Sequence, residues 1–509
     1  MSLKHSSLCL LLLSSFALAQ QHSVPHKKTA KAASATRPKA DPALAIHQSA
    51  LIVDTHADTP QRFLDSNFDL SQNTPVSEGH IDLDKIKQGN LGAEFFSIWV
   101  EPEFKGHYSQ RAMDLIDSVY QQAARHPDKM TMAFTADDIA RAHEQHKFAA
   151  LMGIEGGHAI ENDVRLLRDF YRMGVRYMTL TWSNTNEWAD SSGDIQNPNV
   201  KHHNGMTDFG KDVVREMNRL GMIVDISHVS DATFYQALLV SQAPVIASHS
   251  SSRELTNQPR NMTDDMLRAM TNNGGVVMVN FYSAFIDENY RKASSDPEKI
   301  KQRDAEVEAY KKAHPHADGS PVTYDETAAI EKKWAAQFPR PPLKSLIDHI
   351  DHVAKVAGID HVGLGSDFDG VTSLPEGIDS VADLPKITQA LYQRGYTREQ
   401  ILKILGGNFM RVMREVEATA KRLQNETQSS DALSFHDIEL MAANRVSAAQ
   451  LIENIKQHGV NFELTPECRA RLSAEKVEDS ALDATAKARR SKISARLPGD
   501  KGNLSRFQH

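Results

Sequence analysis

From about residue 50 onward, short apolar runs recur, each followed by a stretch where apolar side chains return every three to four positions. The runs cover residues 51–58, 93–100, 149–155, 176–182, 222–228, 244–249, 275–281 and 361–367. Between them lie amphipathic segments, among them 112–124, 164–173, 207–220, 231–239 and 263–271. Strand-length runs alternating with helical periodicity predict a parallel sheet built from βα units. Eight such units predict an α/β protein with a (β/α)8 (TIM) barrel. The competitor, a doubly wound open sheet, lacks support because no Gly-rich phosphate fingerprint follows the first run.

The rhythm is interrupted twice. Between the seventh and eighth runs, residues 287–337 are long, charged and rich in helix formers, which predicts an ordered insertion near the barrel mouth. The last barrel helix is expected over 398–405, continuing from 408 towards 423, so the barrel domain spans 44–425. Beyond it, 435–443, 448–457, 466–474 and 480–489 read as four short helices of a small helical domain over 431–490. Val446 and Leu451 recur at the same offset as Val477 and Leu482, hinting at a duplicated two-helix unit.

Composition adds little to the fold but something about location. The 509 residues are 40% hydrophobic and 24% charged, an ordinary globular balance, and the net charge of −8 leaves no footprint for nucleic acid. Lys4 and His5 precede the run Leu8 to Leu13, and Ala17-Leu18-Ala19 supplies small residues, so residues 1–19 read as a secretory signal. That predicts a secreted or periplasmic protein with no transmembrane segment after processing. Removing the signal removes Cys9 and leaves Cys468 alone, without an intramolecular disulfide. Residues 20–43 form a basic linker with almost no large apolar side chains, and 491–509 form a basic tail.

The candidate chemistry lies at the ends of the apolar runs, where a barrel of this kind places its reactive groups. Those ends carry His56 and Asp58, Glu155, His228, His249 and Asp367. In a strand, His56 and Asp58 project to the same side, because side chains alternate with period two. Any one such residue is more often a hydrogen-bonded structural group; six at equivalent positions should not recur by chance. Three imidazoles and three carboxylates without a thiolate suit Zn²⁺ or a similar divalent ion. Two ions explain the count better than one, with His56 and Asp58 on the first, His228 and His249 on the second, and Glu155 between them. Such a pair can share a water, lower its pKa and produce a bridging hydroxide, which is hydrolytic chemistry.

These residues resemble the membrane dipeptidase (renal dipeptidase-like) family of zinc metallopeptidases over roughly residues 46–420. The resemblance rests on His56-Ala57-Asp58, Gly153-Ile154-Glu155-Gly156-Gly157-His158, Asp225-Ile226-Ser227-His228-Val229-Ser230 and Ser248-His249-Ser250-Ser251. It continues through Arg260-Asn261, Asn280-Phe281-Tyr282 and Gly363-Leu364-Gly365-Ser366-Asp367-Phe368-Asp369-Gly370. It implies a (β/α)8 barrel with two zinc ions per subunit, bridged by Glu155, cleaving dipeptides and tolerating a D-residue on the C-terminal side. Arg260 would hold the substrate carboxylate. Asp367 would contact the substrate amine and serve as proton acceptor and donor, and Trp182 and Tyr282 fall on the substrate side. Homodimers are usual in the family.

One position departs from the pattern. Well-studied members carry a His in a Thr-Leu-Thr-His run, credited with stabilising the oxyanion, where this chain reads Thr179-Leu180-Thr181-Trp182. An indole can donate one hydrogen bond and cannot become cationic. Either Trp182 substitutes, a neighbour such as Asn184, Asn186 or Asp190 takes over, or the preferred substrate differs. Two alternatives therefore stand beside a zinc dipeptidase. One is a different binuclear-metal amidohydrolase acting on a lactone or N-acyl-amino acid, and the other is a catalytically weakened metal-binding envelope protein.

Overall fold

A computed structural model describes residues 41–430, 433, 435–443, 445–460 and 464–488. The expected signal, most of the basic linker and the basic tail lie outside the described residues. Nine parallel strands run in chain order: β1 (Ile52–Ala57), β2 (Leu91–Trp99), β3 (Met130–Met132), β4 (Phe148–Glu155), β5 (Val175–Thr179), β6 (Ile223–Asp225), β7 (Ile246–Ala247), β8 (Val276–Val279) and β9 (Val362–Leu364). Eight of them close a barrel in the order β2-β1-β9-β8-β7-β6-β5-β4, with β4 returning to pair with β2. This is the predicted (β/α)8 barrel. The ninth, β3, was not anticipated; it pairs with Phe148–Ala150, the part of β4 that β5 does not reach.

The helices outside the barrel begin where sequence chemistry starts them. Thr207, Ser230 and Thr263 each accept a hydrogen bond from a backbone N–H three residues on, capping Asp208–Leu220, Asp231–Val240 and Asp264–Asn273. The last barrel helix is not continuous. Arg398–Leu402 passes through a wide π-type turn, Lys403–Gly407, into Asn408–Ser430. A side chain at Gly406 in that turn would overlap the carbonyl of Leu51 at the foot of β1, so the turn is where the helix closes on the barrel floor.

Inside the barrel, Val53, Phe95, Leu151, Tyr177, Ile223, Ile246 and Met278 fill the lower layers. Above them the lining turns polar. Asp225 accepts bonds from Thr179 Oγ1 (2.5 Å), Ser248 Oγ (2.6 Å) and the backbone N–H groups of Ser227 and Ser248. The register of β1 against β2 slips between Asp54 and Ala57. Val53 therefore joins the inner core, whereas Ala57 joins the outer one. The slip breaks the two-residue alternation and turns His56 into the barrel.

The insertion folds into Glu288–Ser294, Pro297–Ala313 and Tyr324–Ala335. It reaches past β9 to the loops after β1 and β2: Ser66 bonds Asp325, Lys332 Nζ donates to the Ser77 carbonyl, and Lys311 pairs with Glu103 at 3.1 Å. The C-terminal helices Phe435–Ala443, Ala448–His458, Pro466–Ala474 and Asp479–Lys487 enclose a separate core of Ile438, Leu451, Ile455, Leu472 and Leu482.

Gly153 on β4 faces Tyr177 on β5, and a Cβ at Gly153 would overlap the Tyr177 ring. Gly153→Ala is expected to destabilise the protein by about 1–3 kcal/mol, the usual cost of overpacking a filled core. Denaturant unfolding measures this, and an unchanged midpoint would refute the tight fit.

Candidate metal centre and substrate site

Four strands stop short of a residue they deliver. Asp58 follows β1 by one residue, His249 follows β7 by two, and His228 and Asp367 follow β6 and β9 by three. The backbone turns sharply there, with His228 at φ 66° and Asp367 at φ 65°, left-handed conformations that cost a non-glycine residue energy. His56 and Glu155 sit on their strands, as the penultimate residue of β1 and the last residue of β4.

The result is a compact buried cluster. Glu155 divides its two oxygens between two groups. Oε2 lies 3.4 Å from His56 Nε2, which is 3.6 Å from Asp58 Oδ2. Oε1 lies 2.8 Å from His228 Nε2 and 3.4 Å from His249 Nε2. Those two imidazole nitrogens are themselves 3.0 Å apart, and the His56 and His249 rings stack with centroids 3.7 Å apart. His56, Asp58 and Asp367 form one set of mutually close ligand atoms, and His56, Glu155 and His249 a second. A side chain at Gly370 would collide with both Asp58 and Asp367, so glycine is required where those carboxylates meet.

Hydrogen bonds from the polar layer orient the imidazoles. His56 Nδ1 is 2.7 Å from Tyr177 Oη, which donates its own proton to the Thr55 carbonyl at 3.1 Å. The hydroxyl therefore accepts from Nδ1–H, and Nε2 turns towards the carboxylates. His249 Nδ1 is held likewise by Ser248 Oγ at 2.7 Å, whose proton goes to Asp225. Orientation of ring nitrogens through their partner atoms is the device by which proteins present imidazole to a metal. Ser97 Oγ donates to Glu155 Oε2 and Asn280 Nδ2 to Asp367 Oδ2, at 3.2 and 2.8 Å.

The electrostatics ask for a cation. Burial pushes the Asp58 carboxyl up to about 7, with Glu155 and Asp367 adding to the shift. Burial, reinforced by nearby Glu155, also raises Asp367. Burial would raise Glu155 too, but the charge of His56 and bonds from His228, His249 and His56 hold it well below the carboxylate range. Burial pulls His56 down, yet Tyr177, Glu155 and Asp58 drive it well above the imidazole range, so positive charge is drawn to that position. Burial, with Arg260 close by, holds His228 down at about 4. His249 lies well below its usual value, through burial first and then His56 and Arg260. His56 Nε2 and Asp58 Oδ1 are buried without a hydrogen-bond partner. Two neutral imidazoles facing each other, three carboxylates and orphaned lone pairs fit divalent metal ions.

Arg260 lies beside this cluster, buried, donating to Ser250 Oγ at 2.6 Å and to the His249 carbonyl at 2.9 Å, with Nε lacking a partner. Burial lowers its pKa to about 10, which leaves it cationic at neutral pH. Trp182 is half-buried, 6.3 Å from the His228 ring and 4.9 Å from Trp99. Tyr282 turns instead to the insertion. Burial raises its hydroxyl to about 12, and it lines a cavity with Arg303 and Trp334. Asp225, Ser248 and Asn280 stand in the motifs of the family resemblance without a role of their own, and Tyr177 stands outside them. Their hydrogen bonds to the ligand-type side chains identify what they do.

Tyr177→Phe removes the hydroxyl between Thr55 and His56 without opening a cavity. Metal affinity is expected to fall about 10–100-fold with the fold intact. Titration of the metal-stripped protein measures it, and unchanged affinity would show that the hydroxyl does not orient the ligand.

A family model for membrane dipeptidase (peptidase family M19) matches residues 40–427. Dipeptidase tcpJ of Claviceps purpurea (strain 20.1) is 36% identical over 361 residues, which cover 69% of this chain and 73% of that protein. The probable dipeptidase PvdM from Pseudomonas aeruginosa has a similar structure, with TM-score 0.61 at 25% identity over 74% of this chain and 98% of that one. A metallo peptidase from Rhodobacter sphaeroides shares the fold, with TM-score 0.57 at 23% identity over 72% and 99% of the two chains. The chain belongs to the membrane dipeptidase family, peptidase family M19, and by that membership is a metallo-dipeptidase.

Proposed function

We propose that this protein hydrolyses the peptide bond of free dipeptides, using two zinc ions held by His56 and Asp58 on one side, His228 and His249 on the other, and Glu155 between them. The observation that carries this reading is the division of Glu155, whose two oxygens face two different ligand groups. When bound, such ions supply Lewis acidity and a water of lowered pKa. The protein's own groups do the rest. Arg260 grips the substrate carboxylate, as a guanidinium fixed by two hydrogen bonds is suited to do. Asp367, held by Asn280, receives the substrate ammonium and carries a proton between the attacking and leaving groups. Its burial supports that role, because a carboxyl with a raised pKa is nearer to neutral conditions.

Recognition of both chain ends at fixed separation selects dipeptides and leaves the stereochemistry of the C-terminal residue open. The Rhodobacter sphaeroides metallo peptidase was crystallised with a phosphinate mimic of L-Ala-D-Ala, which supports tolerance of a C-terminal D-residue in this fold. The Lys4-His5 start and the leucine run after it support export. No described helix is long and apolar enough to cross a membrane.

Zinc-loaded protein is expected to cleave dipeptides, to lose activity with chelator and to regain it with added zinc. Absence of turnover, or faster hydrolysis of a lactone or N-acyl-amino acid, would overturn the proposal. Arg260→Ala is expected to lower kcat/KM on a dipeptide at least about 30-fold, the low end for cutting a buried charged contact, and much less on the dipeptide amide. Equal losses on both substrates would remove Arg260 from carboxylate recognition.

A further inference from the structure

The insertion carries a side chain into the site. Tyr324 opens the helix Tyr324–Ala335, fixed by a capping box between Thr323 and Glu326 and by a bond from its own N–H to Glu101. Its ring meets Trp99 edge to face, with centroids 5.8 Å apart, and Trp99 in turn lies 4.9 Å from Trp182. These three aromatic residues come from three separate segments: the end of β2, the loop after β5 and the insertion. Trp99 pairs in register with Glu155, so this wall rises directly beside the central carboxylate. The indole N–H of Trp99 is buried without a partner, a donor that a bound group would satisfy.

The wall belongs to one end of the site. Asp325, next to Tyr324, bonds Ser66, which closes the helix Thr59–Asp65 that follows Asp58, so Tyr324 stands on the β1–β2 side of the mouth. Arg260 is bonded to the His249 carbonyl after β7, four strands from β2 in the closed barrel, and has a different aromatic neighbour, Phe285, with its guanidinium 5.7 Å from the ring centroid. A dipeptide lying with its carboxylate on Arg260 and its ammonium towards Asp367 therefore presents its N-terminal side chain to the wall.

We propose that Trp99, Trp182 and Tyr324 form the subsite for the N-terminal residue of the dipeptide and favour a flat aromatic side chain there, with Tyr324 on the insertion determining that preference. Tilted and edge-to-face rings offer a further ring the offset and edge contacts that aromatic groups prefer. The proposal rests on the dipeptidase reading above and adds to it the class of substrate.

Four substrates separate the two ends: Phe-Gly and Ala-Gly vary the N-terminal side chain, Gly-Phe and Gly-Ala the C-terminal one. Wild-type protein is expected to favour Phe-Gly over Ala-Gly in kcat/KM. Tyr324→Ala is expected to reduce that ratio about tenfold, mainly through KM, while the Gly-Phe to Gly-Ala ratio moves less than about twofold. Tyr324→Phe, which retains the ring, is expected to retain the preference. An unchanged first ratio in Tyr324→Ala, or equal changes in both, would overturn the assignment. Wild-type protein that cleaves none of the four sinks the dipeptidase reading instead. Calorimetric binding of Phe-Gly against Ala-Gly to wild type and Tyr324→Ala then decides the subsite: a loss of preference supports it, and no loss overturns it.

Discussion

Three carboxylates, Asp58, Glu155 and Asp367, converge at the barrel mouth where water is largely excluded. Burying one anion without a partner is expensive, and burying three within reach of one another is more so. Everything around the cluster answers that constraint. Positive charge is drawn to the position beside His56, Arg260 stands alongside, and His228 and His249 are kept neutral with ring nitrogens facing inward. Divalent cations complete the balance that the side chains leave open.

Holding this arrangement strains the surrounding backbone. His228, Asp367 and Asp369 all adopt left-handed conformations, which persist only where other contacts over-determine them. Those contacts are visible. Asp369 accepts bonds from Thr59 Oγ1 and the His80 backbone N–H, both at 2.7 Å, tying the loop after β9 to the helix after β1. The Ser192 N–H and the Ser191 hydroxyl bond the carbonyl of His228, fixing the turn after β6 from the loop after β5. The same loop carries Trp182, so the residue that departs from the family pattern belongs to the segment bracing a ligand. Replacing it therefore touches both the contact with Trp99 and the support of His228.

Much of this was legible in the chain. Short apolar runs located all eight barrel strands and period-3.6 patterns five of the helices between them, because each strand buries both faces and each helix one. The six ligand-type residues were legible for a related reason, since a barrel delivers chemistry where its strands end. The positions of Gly153 and Gly370 were readable as glycines but not as necessities, because the atoms they avoid belong to Tyr177, Asp58 and Asp367.

The sequence by itself determined the barrel, the kinds of ligand atom available and the Trp182 departure, all properties of local pattern and residue chemistry. Tertiary structure alone decided which side chains orient those ligands. Tyr177 is 121 residues from His56, and Asn280 is 87 residues from Asp367. It alone also brought Tyr324 from the charged insertion to the ring of Trp99. Contacts across such separations leave no period and no spacing in the chain; they exist only once the barrel has closed.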